Sequence, residues 1–283
     1  MQIRLKIDPG KKQTILEALR ECGVTSVPTP CGGRGRCGKC SVRIGGQERE
    51  VLACITEAKE GMVIHLPEND GQEQIAEESD CVRYGADGTD ELVAACDLGT
   101  TTVVCHLIDG KSGRILATVS EANQQRIYGA DVVSRIQAAK EGNLSNLHQQ
   151  IVEQLNRMLG VMLEQNGAET VGRMAVAGNA VMCHLLAGIS PESIGEAPFL
   201  PKEFFGRAWD AGTIGLQHCR QVYVAPAVSG YVGGDITADM LAVTPGHEGE
   251  ETLLLDIGTN GEMALGKKGD YICCAAAAGP AFS

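Results

Sequence analysis

ACDLGTTTVVCHLIDGKSGRI, beginning at Ala95, and LLDIGTNGEMALGKKGDYICC, beginning at Leu254, are the two stretches that decide the fold. Each places Asp-[Leu/Ile]-Gly-Thr at the end of an apolar strand, runs back as a second strand, turns on Gly and Lys, and returns. Asp97 and Asp256 hold equivalent places in the two. The simplest account of such a repeat is two similar halves, each opening with a three-strand meander. Between them, helical periodicity over 130–141 and 144–166 is followed by a strand over 173–178 and a helix over 179–187. A looped stretch rich in Pro and Gly, a strand over 222–226 and a helix over 235–243 complete the first half. Three strands and then alternating helices and strands predict an α/β layer fold. The helices that should follow the second meander are missing, so the pattern predicts a doubled fold cut short in its second half.

The N-terminal part has a different grain. QIRLKI (2–7) alternates as a strand, and QTILEALREC (13–22) carries Ile15, Leu16 and Leu19 at helical spacing. SVRI at 41–44 and short apolar runs near 51–54 and 62–66 read as further strands. Residues 1–66 therefore form a compact α+β module. Residues 67–91, rich in Asp, Glu and Gly, read as an acidic linker. Residues 92–283 form the α/β part.

Composition narrows the function. Lys and Arg number 24 against 36 Asp and Glu, a formal net charge of −12 across 283 residues. A chain this acidic argues against nucleic acid and anionic membrane as partners. There is no signal peptide after Met1 and no apolar run long enough to span a membrane, which predicts a reducing, cytoplasmic setting. There the 12 Cys read as metal ligands or buried thiols rather than disulfides.

Cys31, Cys37 and Cys40 stand in CGGRGRCGKC, a C-x5-C-x2-C spacing, and Cys54 follows in VLACIT. Four thiolates on one loop and an adjacent strand can surround one metal centre, and thiolates suit iron–sulfur clusters and zinc. Gly32, Gly33, Gly35 and Gly38 leave backbone N–H groups able to face anionic sulfur, and Arg34, Arg36 and Lys39 add positive charge. Zinc sites more often show two C-x2-C pairs, and only one is present. The pattern favours a [2Fe–2S] cluster over zinc, with unliganded thiols as the bland alternative.

In the two repeated turns, Gly99 allows a tight bend, and the N–H groups of Gly99, Thr100, Thr101 and Thr102 could cradle phosphate oxygens. Asp97 is placed to hold a water on Mg²⁺, which prefers carboxylates plus phosphate oxygens. Asp256, with Gly258, Thr259, Asn260 and Gly261, would do the same from the other half. A single Asp-x-Gly-Thr is an ordinary turn. Two in equivalent places read as a clamp on ATP and Mg²⁺, and positioning with charge neutralisation is most of what phosphoryl transfer needs.

Residues 1–66 resemble an adrenodoxin- or plant-type [2Fe–2S] ferredoxin of the β-grasp fold, with Cys31, Cys37, Cys40 and Cys54 matching the ligands. The two turns resemble the phosphate motifs of the actin-like (RNase H-like, duplicated) ATPase superfamily. A ferredoxin fused to such a domain resembles the reductive activators of corrinoid proteins. QQRIYGADVVSRI (124–136), AVAGNAVMCHLLAGISP (175–191) and SGYVGGDITA (229–238) carry the same likeness. The resemblance implies ATP-dependent delivery of single low-potential electrons to a Co(II) corrinoid protein of a methyltransferase system. It also implies an upstream electron donor, and it leaves room for a homodimer. A plain electron carrier with a docking domain, or an activator of another low-potential enzyme such as a dehydratase, are the alternatives. Larger members carry a middle domain between ferredoxin and ATPase, where here only 67–91 intervene, and the adenosine-binding motif expected further on has no counterpart.

Other polar residues have plain alternatives. Asp131 and Asn179 read as helix starts as readily as site residues, and Asp235 after Gly233-Gly234 reads as a cap or a cleft carboxylate. His106 and His184 sit in apolar segments and read as core or partner contacts. Cys81, Cys96, Cys105, Cys183, Cys219, Cys273 and Cys274 read as small buried hydrophobes.

Overall fold

The computed structural model of the protein describes residues 2–5, 7, 12–22, 24, 27, 33–36, 38–46, 50–66, 89–243, 249–258, 260–267 and 269–276. Near the N-terminus, β1 (Gln2–Arg4), β2 (Ser41–Ile44), β3 (Glu50–Leu52) and β4 (Val63–His65) form one sheet in the order β1-β4-β2-β3, every neighbour antiparallel. Helix α1 (Ile15–Glu21) starts at a capping box. The Glu17 N–H donates to Thr14 Oγ1 at 3.3 Å, and the Thr14 N–H donates to Glu17 Oε2 at 2.7 Å. Its apolar face, Ile15, Leu16, Ala18 and Leu19, is buried with Leu5, Val42, Ile44 and Ile64 of the sheet side. This helix packed on a sheet is the α+β arrangement expected of the N-terminal part.

The second sheet has six strands: β5 (Leu92–Leu98), β6 (Thr102–Asp109), β7 (Arg114–Ala122), β8 (Val171–Ala177), β9 (Arg207–Asp210) and β10 (Cys219–Val224), in the order β7-β6-β5-β8-β10-β9. β5, β8 and β10 run parallel, and the remaining pairs are antiparallel. Helices α2 (Val132–Ala138), α3 (Leu144–Gln165), α4 (Ala180–Leu186) and α5 (Gly234–Val243) supply the α layers. The stripe of α3 that includes Leu147, Ile151, Leu155, Met158 and Leu159 is fully buried, in one core with Leu98, Val103, Cys105 and Leu107 of the meander. A wide turn at 139–143, with Gly142 at φ 93°, separates α2 from α3. Strand β9 escapes the sequence pattern because three of its four residues are exposed and nothing alternates.

Strands β11 (Thr252–Ile257), β12 (Gly261–Lys267) and β13 (Asp270–Ala276) form a separate antiparallel meander. The repeat is therefore structural. One face of this meander packs Leu254, Ala264 and Tyr271 with Val232 and Ile236. The other face exposes Leu253, Leu255, Ile257, Leu265 and Ile272. At the matching positions of the first half, Ala94, Cys96, Leu98 and Leu107 lie buried in the core that holds α3.

Of the expected linker, residues 67–88 lie outside the described residues. Its last residues are anchored: Asp90 pairs with Lys111 at 3.0 Å, and Glu91 pairs with Arg220. Among the described residues no helix is long and apolar enough to cross a membrane.

Candidate functional site

Two of the four candidate metal ligands, Cys40 and Cys54, are described; Cys31 and Cys37 lie outside the described residues. Cys40 immediately precedes β2 and Cys54 sits in the turn after β3. The Ala53 N–H donates to the Cys40 carbonyl at 2.9 Å, and the Leu16 N–H donates to the Ala53 carbonyl at 2.9 Å, which ties both cysteines to the start of α1. Both are buried, and their Sγ atoms lie 3.2 Å apart. That is far beyond the ~2.05 Å of a disulfide and suits two sulfurs turned toward one centre.

Three glycines of the loop before Cys40 take a backbone conformation that other residues rarely adopt. Gly33, Gly35 and Gly38 take φ of 81°, 70° and 69°. A side chain at Gly35 would also meet Ile55 Cγ2 at 2.8 Å. Arg34, Arg36 and Lys39 stand exposed around it. The donor set and the glycine loop fit a thiolate-bound cluster.

The first phosphate-type turn joins β5 to β6. Gly99 is required there, since a Cβ would fall 2.3 Å from the Thr102 carbonyl oxygen. The carbonyls of the turn are taken by side chains behind it. Asn123 Nδ2 donates to the Gly99 carbonyl at 2.8 Å, and Arg135 Nη2 donates to the Thr100 carbonyl at 2.6 Å. The Asn123 backbone N–H donates to the Thr101 carbonyl at 2.8 Å. In a trans peptide the C=O and N–H point in opposite directions. Holding the carbonyls of 99, 100 and 101 inward therefore turns the N–H groups of 100, 101 and 102 to the other side of the loop.

Asn179 links this turn to α4. Its Oδ1 accepts from the Met182 N–H at 3.0 Å, as an N-cap, while its Nδ2 donates to Thr100 Oγ1 at 2.9 Å. The N-cap reading offered by the sequence for Asn179 is the one observed, and the same side chain also reaches the β5–β6 turn. Asp131 caps α2 by accepting from the Ser134 N–H at 2.7 Å, the plain role of the two considered for it.

The second turn joins β11 to β12 and is one residue shorter, with Ile257 facing Gly261 where Leu98 faces Val103. Gly258 is not sterically required: a Cβ there would stand 3.9 Å from its nearest neighbour, the Asn260 carbonyl oxygen. Thr259 lies outside the described residues. A cavity of about 280 Å³ runs between the two halves, lined by Val132, Asn179, Tyr231, Asn260 and Glu262 among others.

Carboxylates from both halves act on one another here. The protein around Asp97 pushes its carboxyl up to about 6, with Asp239 and Asp256 adding to the effect, although the residue itself remains open to the cleft. Asp235 is pushed up to about 6 by burial, aided by Asp256 and Asp97 and opposed by the Ile236 N–H. Glu262, buried on β12, is pushed up to about 7 by burial and then by Asp235 and Asp256. Asp239 is also raised, by burial and by Asp256. Carboxylates raised together in this way repel one another's charge, and a proton or a cation among them relieves that repulsion. Among the described residues no three ligand-type side chains close on a single point. Such a cation would take much of its shell from phosphate and water, as Mg²⁺ does.

Sequence alone points to Asp97, Asp256 and Asp235 but not to Asp239 and Glu262. The i, i+4 spacing of Asp235 and Asp239 on α5 is the available signal for the first. Elsewhere, Cys96, Cys105, Cys183 and Cys219 are buried as expected, whereas Cys273 is half-buried and Cys274 is exposed, since β13 is an edge strand whose outer face is open. Cys81 lies outside the described residues. His184 is fully buried, its Nδ1 against the Ala180 carbonyl and its Nε2 accepting from Lys202 N–H, while His106 is half-buried.

Comparison with known protein families assigns these parts. A 2Fe-2S iron-sulfur cluster binding domain matches residues 7–69, the RACo middle region matches residues 92–245, and the C-terminal domain of RACo, the ASKHA domain, matches residues 250–283.

The chain belongs to the RACo family.

The RACo match corrects one expectation. A middle region is present, at 92–245, rather than replaced by residues 67–91 alone. Among curated relatives, the chain is 27% identical to "Corrinoid activation enzyme RamQ" of Eubacterium limosum, over 98% of this chain and 60% of that protein. It is 31% identical to "[Co(II) methylated amine-specific corrinoid protein] reductase" of Methanosarcina barkeri, over 66% of this chain and 36% of that one. A solved "Reductive activator for corrinoid,iron-sulfur protein" matches 95% of this chain and 61% of its own with a TM-score of 0.64 at 27% identity. The chain thus spans about three-fifths of the RamQ and solved-activator lengths. The RACo family assignment joins a 2Fe-2S ferredoxin domain to an actin-like ASKHA fold in one molecule.

Proposed function

We propose that this protein is an ATP-dependent reductive activator that passes single low-potential electrons to a Co(II) corrinoid protein of a methyltransferase system, giving Co(I). The observation that carries this is the pairing, in one chain, of a buried Cys40–Cys54 thiol pair with a turn whose carbonyls are all held inward. The domains are taken as 1–66, 67–91 and 92–283, the last combining the RACo middle region with the start of the ASKHA domain.

Cys31, Cys37, Cys40 and Cys54 would hold a [2Fe–2S] cluster, which when bound supplies a one-electron carrier. The glycine loop keeps side chains clear of it, and Arg34, Arg36 and Lys39 compensate its negative charge and offer a positive rim to an acidic partner. The N–H groups of Gly99–Thr102 and of Gly258–Gly261 would bind the phosphates of ATP. Asp97 and Asp256 would orient water on Mg²⁺. With five carboxylates around the cleft, a polyphosphate enters only with its cation. Closing the two halves on Mg-ATP would shift the chain between two states, and ATP binding energy would be spent on the one that favours an uphill electron transfer. An upstream donor recharges the protein in a reducing, cytoplasmic setting, and a homodimer is compatible with this reading.

The test is anaerobic. Reduced protein is mixed with a Co(II) corrinoid protein, with and without Mg-ATP, and the Co(I) absorption band is followed. The band should grow and should depend on ATP. A flat trace with a fully loaded, reduced protein overturns the reading.

A further inference from the structure

Arg135 lies in QQRIYGADVVSRI, the stretch whose role neither the cluster nor the carboxylates explain. It is fully buried, in the middle of α2, with no described carboxylate at ion-pair distance. Leaving a cation inside without such a partner is costly, so its place needs a reason. Its guanidinium spends its donors on four different parts of the fold. Nε donates to the Gly129 carbonyl at 3.1 Å, Nη1 to Gln125 Oε1 at 3.3 Å and to Met182 Sδ at 2.9 Å, and Nη2 to the Thr100 carbonyl at 2.6 Å.

The surroundings are arranged to permit this. A Cβ at Gly129 would lie 2.3 Å from Ser134 Cβ, so only glycine lets that carbonyl come so close to α2. Gln125 in turn donates to the Leu147 carbonyl of α3 at 2.7 Å, and its N–H donates to Asn123 Oδ1 at 2.9 Å. Asn123 is the residue that holds the Gly99 carbonyl. The shortest of the guanidinium's bonds therefore ends on the turn between β5 and β6, and the others brace it against α3 and α4. Burial lowers the pKa of Arg135 to about 9, partly countered by Asp131, so it is still a cation at neutral pH.

We propose that Arg135 is the positioning residue of the phosphate turn: by holding the Thr100 carbonyl inward it aims the Thr101 N–H outward, and its charge, only partly countered by Asp131, favours the negative charge of a bound nucleoside polyphosphate. The forked, planar guanidinium is needed for the geometry, and a compact ammonium cannot span Gly129 and Thr100 together. The rest of the counter-charge is then the ligand itself. The proposal rests on the nucleotide reading above and adds to it the residue that prepares the turn.

The experiment measures Mg-ATP and Mg-ADP binding by calorimetry on the whole protein, with unfolding midpoints recorded in parallel. Arg135→Lys keeps charge and loses the fork. Met182→Glu puts a carboxylate beside the guanidinium at the third position of α4, where an acidic residue is helix-compatible, and Met182→Gln is its neutral control. Both Arg135→Lys and Met182→Glu should weaken nucleotide binding about tenfold or more, with Met182→Gln within about twofold of the wild type. A purely structural role would shift midpoints in Met182→Gln and Met182→Glu alike and leave their affinities equal. That equality, or wild-type affinity in Arg135→Lys, overturns the proposal, and Met182→Glu decides it if the lysine variant fails to fold. A wild-type protein that binds no nucleotide overturns the underlying reading instead, and this one with it.

Discussion

The Sγ atoms of Cys40 and Cys54 face each other at 3.2 Å inside the N-terminal module, 14 residues apart in sequence and unbridged. The contact is made by backbone geometry: the Ala53 N–H bonds to the Cys40 carbonyl, so β2 and the turn after β3 present both thiols to the same space.

If that space holds a cluster, removing either thiol removes the colour. Protein prepared without oxygen should carry about two irons and show the visible absorption and, once reduced, the EPR signal of a [2Fe–2S] centre. Cys40→Ala and Cys54→Ala should lose both while Cys96→Ala, buried in the other core, keeps them. Zinc in place of iron, or full iron in the Cys54→Ala protein, contradicts the assignment.

The two Asp-x-Gly-Thr turns should respond differently to the same change. At Gly99 an added Cβ collides with the Thr102 carbonyl at 2.3 Å, a backbone atom that cannot move without opening the β5–β6 hairpin. At Gly258 the closest atom is 3.9 Å away. Gly99→Ala should lower stability by about 2 kcal/mol or more, in the range of overpacked and strained sites, and Gly258→Ala by less than about 0.5 kcal/mol. Urea midpoints measure both. Equal losses would show that the halves are sterically equivalent after all.

That difference also marks how far the sequence could be read. The repeated motif shows at once because strand, turn and strand are local, and β5, β6 and β11–β13 fall where alternation and the Gly turns put them. Helix α1 is legible for the same reason, from the spacing of Ile15, Leu16 and Leu19, while its capping box at Thr14 and Glu17 comes from the structure. What the sequence conceals depends on distance. Asn123 and Arg135 reach the β5–β6 turn from 24 and 35 residues away, and Glu262 looks like a solvent-facing strand residue until β12 is packed beside α5. The one-residue difference between the hairpins is visible only in the pairing register.

The carboxylate cluster gives stability a specific pH dependence. A carboxyl raised by folding stays protonated in the native state over a window where the unfolded chain has already lost its proton. For Glu262 that window runs from the ordinary glutamate range, roughly 4.3, to about 7. The native state binds more protons there, so this contribution favours folding at low pH and is lost as pH rises through the window. Glu262→Gln should therefore raise stability at pH 8 by about 2–4 kcal/mol, the upper figure being the full window and the lower one allowing for solvent screening, and change it little at pH 4.5. Millimolar Mg²⁺ should narrow the gap at pH 8 by screening the charges more strongly in the wild type than in the variant, which keeps the four aspartates. A gain of the same size at both pH values would remove Glu262 from the cluster.

Asn179 joins a helix cap to a hydroxyl of the β5–β6 turn, and the two jobs separate by substitution. Its Oδ1 satisfies the Met182 N–H at the start of α4, while its Nδ2 holds Thr100 Oγ1. Serine caps a helix nearly as well as asparagine but is too short to span to Thr100 and has no amide to offer. Asn179→Ser should keep stability within about 0.5 kcal/mol of the wild type, whereas Asn179→Ala should lose about 1 kcal/mol with the cap. Nucleotide affinity should fall by the same factor in both, because both release Thr100. Calorimetric titration with Mg-ADP alongside thermal unfolding reads the two effects independently. An affinity that tracks stability, falling in the alanine protein and preserved in the serine one, would make Asn179 a cap and nothing more.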